Sequence, residues 1–231
     1  MVKTKTADRL NRIVEAALFT FIEHGFKGTT LQDVADRAGV SVGSIYSYAA
    51  GKEALFELAL RQALHVPLPR PATLPYAGTT TDLVSLVWSC VVGIARFPEL
   101  EAAANRPPPK DPLAELEQIV SGIWDWQARH WRAIELIERC AREWPELHML
   151  YYKEFRRGAF ETATALLERR MREGALRSYP DPATALRVVV ESVAFFAMHR
   201  HIRPDSADLD EEICKRTVLD MVVAAFDPGC G

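Results

Sequence analysis

Residues 29–52, TTLQDVADRAGVSVGSIYSYAAGK, constrain this chain more than any other stretch. They predict two short helices joined by a tight turn. Thr30 is placed to cap a helix over 31–38, and Gly39 supplies the positive φ that a helix stop needs. Ser41 is placed to cap a second helix from Val42, its hydroxyl accepting from a backbone N–H near Ser44. Val34, Ala35, Val40 and Ile45 are spaced to share one small core, and the small Ala35 and Ala38 let the helices cross closely. This is the pattern of a helix-turn-helix, whose second helix lies in the DNA major groove. The residues expected on its open face, Val42, Gly43, Ser44, Ser47 and Tyr48, include no acid. Tyr46 adds a further hydroxyl, and Lys52 follows where a phosphate would be met. Spacing alone fits equally a helical hairpin inside an ordinary all-α protein.

Composition neither demands nor forbids a nucleic-acid partner. The formal net charge of -3 over 231 residues does not advertise one. Lys3, Lys5, Arg9, Arg12, Lys27 and Arg37 are nearly balanced by Asp8, Glu15, Glu23, Asp33 and Asp36. A basic footprint must therefore come from side-chain placement. A hydrophobic share of 48% and a charged share of 26% suit a soluble globular chain. Cys90, Cys140, Cys214 and Cys230 are far apart and form no C-x-x-C, which predicts reduced thiols in a cytoplasmic protein. The start of the chain lacks a signal-peptide pattern, and the longest uncharged stretch, 83–95, is too short to span a bilayer.

The rest of the chain reads as helix throughout, with no strand-like alternation. A first helix is expected over 7–24, with Leu10, Ile13, Val14, Ala17, Leu18, Phe21 and Ile22 in one stripe. A fourth begins near Lys52 and ends before Pro67, Pro69, Pro71 and Pro75. The fifth, apolar nearly all round, should run from Thr80 or Thr81 to Phe97. A second proline-rich break spans 98–112, with a short helix over 99–105 inside it. The sixth and seventh fill 113–144 with a boundary set at Ser121 and Gly122, the eighth covers 145–173, the ninth 182–201 and the tenth 208–226. These segments divide as 1–52, a connecting helix and proline-rich linker over 53–79, and a larger helical domain over 80–231. His199 and His201 sit two apart on a helix and point to different sides, so no metal site is expected. No catalytic motif, phosphate loop or cofactor motif is present, so no enzyme activity and no cofactor are expected.

Gly25 and Phe26, Thr29 and Thr30, Asp33-Val34-Ala35, Ala38-Gly39-Val40-Ser41, then Gly43, Tyr46, Tyr48 and Lys52 together resemble the DNA-binding domain of TetR-family transcriptional regulators. The resemblance covers roughly residues 8–60. It implies an all-α protein with an N-terminal three-helix reading head and a C-terminal ligand-binding and dimerisation domain. It implies contacts with double-stranded operator DNA from Thr29, Thr30, Gln32, Arg37, Ser41, Val42, Gly43, Ser44, Tyr46, Ser47, Tyr48 and Lys52. An effector cavity is implied among the fifth to eighth helices, and Trp88, Val91, Trp124, Gln127, Trp131, Phe155 and His199 are the candidate lining for a largely apolar ligand. A homodimer through the last long helices is implied as well. Its candidate residues are Gly158, Ala159, Thr162, Leu166, Val189, Val193 and Phe196, although the same stripes would also pack inside one subunit. The function implied is a repressor released by an effector. An activator of the same architecture, and an all-α enzyme or carrier using the apolar cavity, are the alternatives. One departure stands out: the family usually has an aromatic after its second tyrosine, where this chain has Ala49, which predicts an underpacked junction into the fourth helix.

Overall fold

A computed structural model describes residues 2–70, 73–78, 85–88 and 97–229, with side chains from Ala7 onward. The architecture is all-α. Among the described residues the only β pairing recorded is an isolated parallel bridge between Ala49 and Tyr76. The chain divides into two compact units, Met1–Ile94 with Arg132–Glu154, and Ala95–Trp131 with Phe155–Gly231. These units cut the chain differently from the sequence segments, because residues after 131 join the N-terminal ones.

In the first unit, α1 (Val2–Gly28) packs on α2 (Leu31–Ala38) and α4 (Lys52–Ala63), with α3 (Val42–Tyr46) against α2. The predicted stripe from Leu10 to Ile22 is buried. The helix runs past the expected stop because one further turn follows a kink at Gly25, whose φ is 77°. A Cβ at Gly25 would lie 2.8 Å from the carboxylate of Glu143, which accepts from the Lys27 backbone N–H at 2.7 Å. Beside it, Trp144 lies 4.8 Å from Phe26 and 5.4 Å from Phe56, ring to ring, and Phe56 meets Phe21 edge-on at 5.2 Å. The head is thus closed by an aromatic cluster, one member of which comes from far along the chain.

The expected break at Ser121 and Gly122 is absent: α6 runs unbroken over Pro112–Ala141, after the short α5 (Pro98–Ala104). A mid-helix glycine costs only about 1 kcal/mol. Buried Ile119, Val120 and Trp124 around it outweigh that, and the missing Cβ leaves room for Glu99, whose carboxylate would sit 3.1 Å from it. The single helix expected over 145–173 is three pieces: α7 (Pro145–His148), a π-helical segment (Met149–Arg156) and α8 (Arg157–Arg172).

In the second unit, Leu100, Ala103, Ile119 and Leu166 form a core. Arg169 donates to the carbonyls of Ala103, Ala104 and Arg106, which satisfies the open end of α5. Next to it Arg170 grips Glu115 with two bonds, of 2.8 and 3.1 Å. The buried faces of α9 (Pro182–Ala197) and α10 (Glu211–Phe226) meet each other. Asp181 and Asp210 cap them through the N–H groups of Thr184 and Ile213. α10 begins later than expected because Asp210 is its cap and Arg200 ties down the Leu209 carbonyl at 2.9 Å. Cys140 and Cys214 are buried thiols; Cys90 and Cys230 lie outside the described residues. Among the described residues, no helix is long and apolar enough to cross a membrane.

Candidate nucleic-acid interface

The local chemistry that builds the two-helix motif is complete. The Thr30 hydroxyl accepts from the Asp33 N–H at 3.2 Å, and the Asp33 carboxylate accepts from the Thr30 N–H at 2.8 Å. This reciprocal cap closes the start of α2. The Thr30 hydroxyl and backbone hold the Asp33 carboxyl below its ordinary pKa. Gly39 ends α2 in the left-handed region at φ 65°. Ser41 accepts from the Ser44 N–H at 3.3 Å and starts α3. Val34, Ala35 and Ile45 are buried between the helices.

What α3 leaves to solvent is a short polar ridge. Gly43, Tyr46 and Ser47 are exposed at helical spacing, Ser41 is exposed at the start, and Val42 and Ser44 are half-buried beside them. Tyr46 is 52% exposed. No acid stands on this ridge.

Several of the other candidate DNA contacts are engaged inside the head. Thr29 is buried, and its hydroxyl donates to Gly25 O at 2.7 Å and to Thr20 O. Tyr48, expected on the open face, is buried, because the ridge turns away from solvent one residue beyond Ser47. Lys52 donates from Nζ to Thr29 O at 3.1 Å and stands 4.7 Å from the centre of the Phe26 ring. Gln32 is exposed and donates to Asp36, and Arg37 is paired with Glu23.

Ala49 is fully buried. The cover is a strap, residues 73–78, that returns after α4 and pairs with the junction following α3. Sequence reading missed it because the bond from the Tyr76 phenol to Glu57 joins residues that no local pattern links.

These features define a helix-turn-helix DNA-binding fold. Residues 13–59 match the model of the bacterial regulatory proteins of the tetR family. The HTH-type transcriptional regulator RutR of Escherichia coli K12 is 46% identical over 54 residues, which are 23% of this chain and 26% of that protein. The HTH-type transcriptional repressor KstR2 of Mycolicibacterium smegmatis is 36% identical over 61 residues, 26% of this chain and 30% of that protein. The chain therefore spans under a third of the length of these curated relatives. At the level of fold the likeness extends further. The structure of the ketosteroid transcriptional regulator KstR2 of Mycobacterium tuberculosis aligns over 94% of each chain, at 19% identity and a TM-score of 0.56. A TetR-family member from Streptomyces coelicolor A3 aligns over 94% of this chain and 90% of its own, at 24% identity and a TM-score of 0.56. Residues 13–59 thus match the DNA-binding domain of that family, and the chain as a whole shares the fold of those structures.

The candidate ligand residues fall in separate places. Trp88 belongs to the first unit and is exposed, and Val91 lies outside the described residues. In the second unit Trp124 and Gln127 are buried, Phe155 lies 5.9 Å from Trp126, Trp131 stacks on His201 at 4.6 Å, and His199 is half-buried. None of the six described candidates lines the apolar cavity of that unit, which is about 50 Å³ and is bounded by residues including Leu116, Ile123, Leu186, Val190 and Phe226. Three candidate dimer residues do line it: Leu166, Val189 and Val193 are buried within their own unit. Gly158 and Thr162 are exposed, while Ala159 and Phe196 are half-buried. Val188, Ile213 and Met221, which sequence reading did not single out, are exposed apolar residues at 63–68%.

Proposed function

We propose that the chain is a homodimeric, DNA-binding transcriptional repressor, released from its operator by a small, uncharged, largely apolar effector. The observation that carries the DNA-binding part is the acid-free ridge of Ser41, Gly43, Tyr46 and Ser47 on a helix-turn-helix whose caps are all made. Such a ridge enters a major groove with hydroxyls for phosphates and base edges and no like charge to repel the backbone. A dimer presents two ridges to half-sites one helical turn apart. The exposed Gly158 and Thr162 of α8, with Val188 of α9, are the surface we assign to pairing.

The effector reading rests on the cavity of the second unit. Its lining is apolar apart from Glu115 and Arg170, and these bind each other. A charged ligand would have to break that pair, whereas a neutral apolar one need not. Binding there shifts the population toward a dimer state whose ridges no longer fit successive grooves. The test is selection from a random duplex pool with the full chain. Enriched palindromes, whose sequence changes with Ser47→Ala or Tyr46→Ala, are expected. Failure to enrich any sequence overturns the DNA-binding reading.

A further inference from the structure

We propose that Tyr76 is a positioning residue of the reading head: through the strap it fixes the junction between α3 and α4, from which the DNA-facing ridge and Lys52 project. This rests on the DNA-binding reading above. The Tyr76 N–H donates to Tyr48 O at 2.8 Å, and the Ala50 N–H donates to Tyr76 O at 2.9 Å. The two bonds bracket Ala49, where the family pattern has an aromatic. The strap therefore supplies with main chain the cover that the side chain at Ala49 cannot.

The strap is anchored from its other side. The Tyr76 hydroxyl donates to Glu57 on α4, whose side chain is 1% exposed. Arg61 donates to the same Glu57 oxygen from Nε and Nη2, at 3.1 and 3.0 Å, and its guanidinium stands 5.7 Å from the centre of the Tyr76 ring. The second Glu57 oxygen is buried and has no hydrogen-bond partner among the described residues. Burial, and then Glu57, raise the Tyr76 phenol to about 12, so it stays a donor through the physiological range. Gly78 completes the seat at φ 53°; a Cβ there would come within 2.9 Å of Glu57 Oε2 and 3.1 Å of Ala54 Cα.

The junction needs such support. α3 has five residues, and its last bonds are those of the Tyr48 and Ala49 N–H groups to Ile45 O. A helix that short does not persist on its own hydrogen bonds. Holding Tyr48 and Ala50 from outside keeps Ser47 and Tyr46 at fixed angles to the rest of the head.

The test uses the full chain, Tyr76→Phe and Gly78→Ala, and two readouts. Amide exchange without DNA is measured residue by residue. Affinity is measured for the duplex that the wild type selects. We expect the Tyr48, Ala49 and Ala50 amides to exchange about tenfold faster in Tyr76→Phe, as loss of a hydrogen bond to a charged group allows. Leu18 and Phe21 should stay as protected as in wild type, and duplex affinity should fall by a similar factor. Faster exchange at Ala50 alone would make the strap a passive cover and overturn the inference. So would faster exchange at all three positions with unchanged affinity. If the wild type selects no duplex, the DNA-binding reading fails, and the exchange of Tyr48 and Ala49 alone decides whether Tyr76 holds the junction.

Discussion

Glu57 in the first unit and Glu115 in the second are both buried, and they are held in different ways. Glu115 receives both Nε and Nη2 of Arg170, with Arg106 on the same carboxylate, and Arg170 also reaches Glu173. Every partner lies on or beside a helix of the same unit. Glu57 receives Arg61 and Tyr76 on one oxygen and, among the described residues, nothing on the other, and Tyr76 sits on a strap rather than a helix. The lesson is one of purpose. A closed, bidentate pair joins helix to helix, while the pair at Glu57 joins a helix to the strap.

The sharpest way to break this contrast is to cut the closed pair. Arg170→Ala leaves Glu115 buried without its main partner and strips α5 of a donor. It should cost about 3–5 kcal/mol in denaturant unfolding, as loss of one half of a buried pair does. If the cost were below 1 kcal/mol, the closed pair would be no tighter than a surface contact. Next in size is Ala49→Phe, which places an aromatic under the strap. Because Ala49 is fully buried, overpacking should destabilise the chain by about 1–3 kcal/mol. Thermal unfolding decides it: a stabilised variant would mean that the strap leaves a gap after all.

Smaller effects belong to the edge of the head. Lys52→Ala should lower duplex affinity across sequences and reduce the salt slope by about one unit. An unchanged slope would keep Lys52 on Thr29 O and Phe26 and off the phosphates. The smallest change is at Asp33. Its carboxyl is held below the ordinary value in the folded state by the Thr30 cap, so its stabilisation is complete above the unfolded pKa and disappears as pH falls through the lowered one. Asp33→Asn should therefore narrow its stability gap from wild type only in that acid window. A gap independent of pH would remove the carboxylate from the cap's energetics.

What could be read from the sequence was whatever acts within a few residues. Thr30, Gly39, Ser41, Asp181 and the α1 stripe all find their partners within a turn or on one face, so spacing alone located them. Glu57 with Tyr76, and Glu143 with Lys27, join residues that no period connects. Leu166, Val189 and Val193 mark a further limit. Their spacing says that the helix has an apolar face, but the same face serves a subunit's own core or a second copy, and here it lies inside. Tyr48 failed for a related reason: on so short a helix, one residue of rotation moves a ring from solvent to core.

Trp144 carries a consequence of its own. Of the five tryptophans, it is the one packed against Phe26 and Phe56, beside the helix-turn-helix. It gives the head a built-in optical probe from within the segment 80–231. A protein keeping Trp144 and replacing the other four with phenylalanine would report, with no label attached, on how Phe26 and Phe56 are packed.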